Sequence, residues 1–258
     1  MDIYQHFRKE EQGFIDQVLS WKEQVEQTFI PKLTDFLDPR EQQIIEMLIG
    51  TSSGEIKLYR FGGAVQSERK RIMIAPYYDV ITDESFQLTL LQATYQDKFV
   101  TLEHRDVMGA FLSLGIIRKK LGDIYVKDGI IQIIMTDDIA TYVITNLTSI
   151  KNATIRFEEK PSQSLLTNAA DWVEADKTIS SLRLDAIVKE IYHVSRKDAS
   201  DFISKQYVKV NHRIVEDGKF IIQAGDLISV RGKGRSKLVT INGQSKKDKW
   251  RITTAMMK

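Results

Sequence analysis

The chain of 258 residues contains no cysteine, which excludes disulfides, thiolate metal sites and cysteine nucleophiles together and suits a reducing compartment. Histidine is nearly as scarce. His6, His104, His193 and His212 are too scattered for a His-x-x-x-His ligand spacing, so no metal site and no cofactor are expected. Long apolar runs are missing as well: the longest, Ile130 to Met135, is interrupted by Gln132 and falls far short of a bilayer span. The opening Met-Asp-Ile-Tyr-Gln-His-Phe has no basic start followed by an apolar core, so it does not read as a signal peptide. These absences point to a cytoplasmic protein without membrane insertion.

Charge is plentiful and unevenly spread. The chain carries 37 basic and 35 acidic residues, of which 17 and 8 fall between Leu182 and Lys258, a local net of +9; the remainder holds 20 against 27, a net of −7. Such asymmetry suggests a basic C-terminal module that meets a polyanion, attached to a mildly acidic body.

The length implies two or three compact units. In residues 1–78, an expected α/β domain, an amphipathic helical pattern runs through Phe7, Phe14, Val18, Trp21 and Val25. Leu37-Asp-Pro-Arg-Glu then supplies a helix start, with Asp38 as N-cap, Pro39 at the first helical position and Ile44, Ile45, Leu48 and Ile49 facing inward. Strands are expected at Ile56 to Phe61 and Arg71 to Ala75. Residues 79–160 read as a strand (Phe86 to Tyr95), a helix (His104 to Leu114), two strands around the Lys127-Asp-Gly129 turn, a helix (Asp138 to Ile150) and a strand (Thr154 to Glu158). That βαββαβ order is that of ferredoxin-like and RNA-recognition-motif sheets, giving an α+β multidomain fold. The third strand, Ile-Ile-Gln-Ile-Ile-Met, lacks the aromatics by which such a sheet stacks bases. Residues 161–180 read as a linker with a short strand or turn around Trp172.

Residues 181–258 form the basic module. Leu184, Ile187, Val188 and Ile191 recur at helical spacing. Ser195 and Asp198 match a capping box, with Val194 and Ala199 as its staple pair. Arg196 and Lys197 then occupy the first turn of a helix, where cations oppose the dipole; their placement makes sense if a phosphate comes to the site, and a solvated pair offset by Asp198 and Asp201 is the bland alternative. Beyond Ile203 the period changes to two.

The ordered set Ser181-Leu-Arg-Leu-Asp185, Val194-Ser-Arg-Lys, Val208-Lys-Val-Asn211, Ala224-Gly-Asp226 and Ile228-Ser-Val-Arg-Gly232 resembles the S-four RNA-binding domain. Members commonly carry a glycine before the Val-x-Val-Asn strand, where this chain has Lys205-Gln-Tyr207. Phe36-Leu-Asp-Pro-Arg-Glu-Gln42, Gly62-Gly63 through Glu68-Arg-Lys-Arg71, and Leu102 through Asp123 extend the likeness over nearly the whole chain, which resembles the YlmH family of bacterial proteins.

The resemblance implies an N-terminal domain, a central RNA-recognition-motif-like domain and a C-terminal S-four domain. It also implies a role in translation: binding of ribosomal RNA and tRNA, and rescue of large ribosomal subunits blocked by peptidyl-tRNA, where stalled chains receive a C-terminal tail. Arg183, Arg196 and Lys197 on the helical pair, and Lys209, Asn211 and Arg213 on the first hairpin, match positions that face RNA, and Lys205 is a further candidate RNA contact. Arg231, Lys233 and Arg235, spaced by Gly232 and Gly234, read as a backbone-contacting rim, with a solvated hairpin turn as the alternative. Arg118, Lys119, Lys120, Arg69 and Arg71 are candidate secondary RNA contacts.

Enzymatic readings fare worse. Gly232-Lys-Gly234 with Ser236-Lys237 fails the phosphate-loop spacing. His104-Arg-Asp106 lacks the downstream residues of a kinase catalytic loop and reads as a helix start. Asp137-Asp138 reads as an N-cap and first-turn acid. Pseudouridine synthases share the S-four module, but here Arg183-Leu-Asp185 belongs to that module and not to a catalytic domain. A non-enzymatic RNA-binding factor in ribosome-associated quality control is the expectation. A division-associated protein adaptor is the alternative, because the family's coding region commonly lies near cell-division genes; an RNA-modifying enzyme ranks below it.

Overall fold

The structure is a computed structural model and describes residues 4, 7–50, 54–166, 172–245 and 247–257. His6 and part of the expected linker, residues 167–171, lie outside the described residues. The chain divides into two compact units, residues 1–168 and 169–258.

The first unit opens with α1 (Gln12–Thr28), β1 (Lys32–Leu33), α2 (Pro39–Ile49), β2 (Ile56–Phe61) and β3 (Arg71–Pro76). The strands pair antiparallel in the order β1-β3-β2. Asp38 caps α2 as its position indicates, its carboxylate accepting from the Arg40 and Glu41 amides at 2.9 Å while Glu41 accepts from the Asp38 amide. Ile15, Val18 and Val25 of α1 meet Ile44, Ile45, Leu48 and Ile49 of α2 over Ile56, Ile72 and Ile74 of the sheet. Glu11 binds Arg40 through two hydrogen bonds of 2.8 and 3.0 Å, tying the start of one helix to the start of the other.

Next come β4 (Leu88–Thr94), α3 (His104–Ser113), β5 (Leu121–Lys127), β6 (Ile130–Thr136), α4 (Ala140–Asn146), β7 (Ser149–Ile150), β8 (Ala153–Thr154) and β9 (Glu158–Lys160). The four-stranded order β5-β6-β4-β9, antiparallel throughout, is the ferredoxin-like arrangement. Two expectations need correction. The helix expected over 138–150 is a 3-10 turn (Asp137–Ile139) followed by a short α4, then the β7–β8 hairpin. Its β-branched residues lower helix propensity, and Thr145 and Asn146 bond back to the Thr141 and Tyr142 carbonyls instead of extending the helix. The final strand accordingly pairs with β4 at Glu158–Lys160, not at 154–158.

The second unit contains β10 (Trp172–Ile179), α5 (Leu184–Tyr192), α6 (Arg196–Ser204), β11 (Val208–Val210), β12 (Arg213–Ile214), β13 (Leu227–Val230), β14 (Gly234–Gln244) and β15 (Trp250–Met257). Its six-stranded sheet runs β10-β15-β14-β13-β11-β12. Within the stretch expected as linker, 172–179 is thus a strand, paired with β15 from Trp172↔Met257 to Ile179↔Trp250. Leu184, Ile187, Val188 and Ile191 of α5 and Ala199 and Ile203 of α6 pack on Val208, Val210, Ile228, Val230, Leu238 and Ile252, closing one sheet face.

Candidate nucleic-acid interface

Two helix starts place basic side chains on the second unit. At α6, Ser195 Oγ accepts from the Asp198 amide at 3.0 Å, completing the expected capping box. Arg196 and Lys197 therefore occupy the first turn, both exposed, with the Arg196 side chain 72% accessible. At α5, Arg183 is the N-cap and grips buried Asp185 through contacts of 3.0 and 2.6 Å. Asp185 lies 3.7 Å from the Arg196 guanidinium as well, so one buried carboxylate gathers both arginines. This accounts for Arg183-Leu-Asp185 as an ion pair of the helix start.

Tyr192 fixes the sheet side of the surface. Its hydroxyl reaches the Ile228 and Gly234 carbonyls and Ser236 Oγ, spanning β13 and β14 at their joining turn, and burial pushes its pKa up to about 12. That turn carries Arg231 and Lys233. Gly232 and Gly234 adopt φ of 77° and 95°, left-handed values that glycine tolerates, and a Cβ at either would meet open space. The turn lies beside α6: Ser195 hydrogen bonds hold the Asp198 carboxyl below its ordinary value, and Lys197 and Lys233 both act on it electrostatically. Arg231 also stacks its guanidinium over Tyr207, 5.2 Å from the ring centroid. Tyr207 escaped the sequence reading, although an aromatic directly before Val208-Lys-Val-Asn was its available signal.

The missing glycine has a direct substitute. Gln206 takes φ of 60°, supplying the left-handed residue between α6 and β11. Lys205 is exposed just ahead of it, and Lys209 and Arg213 are exposed on the β11–β12 hairpin. Arg235 is half-buried at the start of β14.

Asn211 is placed differently from its expected role. With His212 it forms a two-residue turn with both φ positive, and it is buried, its amide donating to Asp226 Oδ1 at 2.7 Å and its carbonyl accepting from the Leu227 amide at 2.9 Å. Asp226 in turn accepts from the Gln223 amide at 2.8 Å. Asn211 locks the Ala224-Gly-Asp226 turn to the hairpin and does not present itself to RNA.

The secondary set is also redistributed. Arg69 and Arg71 are only 7% and 6% accessible. Arg69 donates to the Leu121 and Phe36 carbonyls, and Arg71 to those of Thr34, Phe86 and Gln87, so both guanidiniums satisfy backbone acceptors inside the unit. Both are internal ties, not RNA contacts. Arg118 binds the Leu121 and Gly122 carbonyls, and Lys120 pairs with Asp138 and Asp35; Lys119 is exposed.

The face of the β5-β6-β4-β9 sheet away from α3 and α4 is where an RNA-recognition motif would stack bases. Here Leu90 and Ile134 on that face pack with Phe36, and partly buried Leu165 packs against them. Gly63 lies so close that a Cβ would stand 2.3 Å from Ile134. Gln132 is buried and bonded to Gln92, the Ser164 carbonyl and the Leu166 amide. The sheet is covered by the chain's own residues, so the absence of stacking aromatics has a structural counterpart. Asp123 seals the seam beside it by accepting from the Glu68 and Arg69 amides at 2.7 and 3.1 Å, and burial raises its pKa.

Among the described residues no group of acidic and histidine side chains could hold a metal ion, and no helix is long and apolar enough to cross a membrane. Family models match in three successive stretches: the YlmH N-terminal model over residues 10–78, the putative RNA-binding domain in YlmH over 82–164, and the S4 domain over 182–228. The chain is 41% identical over 252 residues to the ribosome-associated protein quality control protein P2 of Bacillus subtilis, covering 98% of this chain and 97% of that one. A solved structure, the cell division protein ylmH from Streptococcus pneumoniae, superposes with a TM-score of 0.57 at 27% identity, over 64% of this chain and 99% of that one.

Proposed function

The chain belongs to the YlmH family, and from that membership we propose that it is a non-enzymatic RNA-binding factor of ribosome-associated quality control. It binds ribosomal RNA and tRNA on the large ribosomal subunit while stalled nascent chains are rescued. The observation that carries this reading is the convergence of Arg196, Lys197 and Lys233 beside one capped helix start in the S4 domain. Exposed cations around amide donors suit phosphate oxygens, while at a positive helix end they oppose the dipole, offset by Asp185 and Asp198. The P2 relative's name supports the ribosomal setting.

Sedimentation of lysates in sucrose gradients tests it, comparing wild type with Arg196→Glu/Lys197→Glu. Arg183 is unsuitable for charge reversal because its guanidinium grips buried Asp185 at 2.6 Å, whereas Arg196 lies 3.7 Å from it with a side chain 72% accessible. The wild type is expected in the large-subunit fractions and the folded variant at the top. A wild type that stays at the top at near-physiological salt sinks the ribosomal reading.

A second reading, a division-associated adaptor, draws on the name of the Streptococcus pneumoniae structure and on the net −7 outside the basic module. It requires a protein partner retained by the Arg196→Glu/Lys197→Glu variant; loss of all partners with RNA binding counts against it.

A further inference from the structure

The S4 match ends at residue 228, yet the sheet continues through β14, β15 and back to β10. The helices pack on one face of this sheet, and strand register assigns residues to the other. Lys209 is opposite Ser229, Ser229 is opposite Arg235, and the alternation along β14 puts Lys237 on the same face as Arg235. Lys237 pairs with Ala255, so the alternation along β15 brings Arg251 to that face too. Tyr207 and Arg231, two residues from Lys209 and Ser229, continue it at the other end.

The β14–β15 connection is a built turn. Ser245 Oγ accepts from the Lys247 and Lys249 amides, the Ser245 amide donates to the Lys249 carbonyl at 2.7 Å, and Asp248 adopts φ of 54°. Exposed Lys247 and Lys249 crown it, and Trp250, packed against the helical core, anchors it. None of the described ion pairs uses Lys237, Lys247, Lys249 or Arg251. Arg235 and Gln244 are nine positions apart, about 30 Å along the strand at the usual rise. Between the two basic ends lie neutral groups joined by hydrogen bonds, Thr240 to Asn242 and Asn242 to Thr253. The acids sit to one side: Glu174 and Asp176 on β10 oppose Ala255 and Thr253, and Asp176 accepts from Thr253 at 2.7 Å.

We propose that the sheet face away from the helices, continuing from Lys209 and Arg235 at the edge of the S4 interface through Lys237 and Arg251 to the Lys247–Lys249 tip, is a second track for the RNA phosphate backbone that extends beyond the S4 domain. The track follows β14, because β10 presents carboxylates. It rests on the RNA-binding reading above and deepens it: one RNA is held at two places, by the S4 rim and by a basic arm beyond the S4 domain. Phosphate contacts of this kind add affinity and orientation without sequence preference.

The test uses the full chain and a fluorescent RNA duplex of 20 base pairs, with anisotropy measured from low to high KCl. Lys237→Gln/Lys249→Gln/Arg251→Gln removes three cations without adding acids; Lys57→Gln/Lys98→Gln/Lys127→Gln makes the same charge change on exposed lysines of the first unit. Unchanged thermal unfolding establishes that both are folded. Three lost contacts should weaken binding about a hundredfold near 150 mM salt and flatten the log–log salt slope by roughly 2 to 3. The first-unit variant should bind like wild type. Wild-type binding by the track variant, alongside lost binding by Arg196→Glu/Lys197→Glu, overturns the track and leaves the RNA reading standing. An equal drop in both glutamine variants overturns it too, as an effect of net charge. Failure of the wild type to bind the duplex at any salt removes the RNA reading together with the track.

Discussion

At the residue scale, the division is between basic or amide side chains turned outward and those consumed by the fold. Asn211 and Lys209 are two positions apart on one hairpin, and the sequence offers no reason to separate them. The structure separates them fully: the Asn211 amide satisfies Asp226 and the Leu227 amide, whereas Lys209 is exposed. Asn211→Ala leaves a buried carboxylate and a buried N–H short of a partner, which costs about 1–3 kcal/mol. Lys209→Ala should stay within about 0.5 kcal/mol of wild type. Urea unfolding of the two variants checks this, and equal midpoints would return Asn211 to the surface. Arg69 and Arg71 carry the same lesson. A Glu-Arg-Lys-Arg run reads as a charged loop because sequence does not reveal which backbone carbonyls its arginines reach.

At the element scale, local signals were legible and distant pairings were not. Asp38-Pro39 and Ser195-Asp198 start helices where capping chemistry places them, and the spacing of Leu184, Ile187, Val188 and Ile191 gives the buried face of α5. By contrast, β10 reads as linker because its partner, β15, lies at the far end of the chain and its exposed side chains show no clean alternation. The tie between α1 and α2 also escaped the sequence, since Glu11 and Arg40 meet only in the fold. Burial raises the Glu11 pKa, but the Arg40 hydrogen bond and charge, with the Arg8 amide and charge beside them, outweigh it, and the folded value lies below the ordinary 4.5. A lowered carboxylate contributes stability above its unfolded pKa and loses it as pH falls through the folded value. Glu11→Gln should therefore unfold earlier than wild type at pH 7, with the gap closing below about pH 4.5. Thermal midpoints across that range provide the check, and a gap independent of pH would show that the Glu11 charge is not what ties the helices.

At the scale of the whole molecule, the chain puts the four-stranded sheet of the first unit and the six-stranded sheet of the second to opposite uses. In the first unit the sheet face that could read bases is filled by Phe36, whose ring lies so close to Gly122 that a Cβ there would stand 2.8 Å away. Phe36→Ala empties a fully buried site and should destabilise that unit by about 3–5 kcal/mol. Proteolysis of the variant, followed by mass spectrometry, should show new cleavage in both residues 10–78 and 82–164; cleavage in one alone would mean that the shared seam does not unite them. In the second unit the face away from the helices carries Lys209, Lys237 and Arg251, which concentrates positive charge at one end of an almost neutral chain. Salt then counts the contacts, because each neutralised phosphate releases counterions. If about six cations engage, affinity should fall roughly a thousandfold between 50 and 200 mM salt, and for Arg196→Glu/Lys197→Glu only roughly a hundredfold over the same range. Binding to purified large subunits, titrated in KCl, measures both slopes. Parallel slopes would mean that the capped helix start touches no phosphate, and a flat wild-type slope would mean that the interaction is not electrostatic.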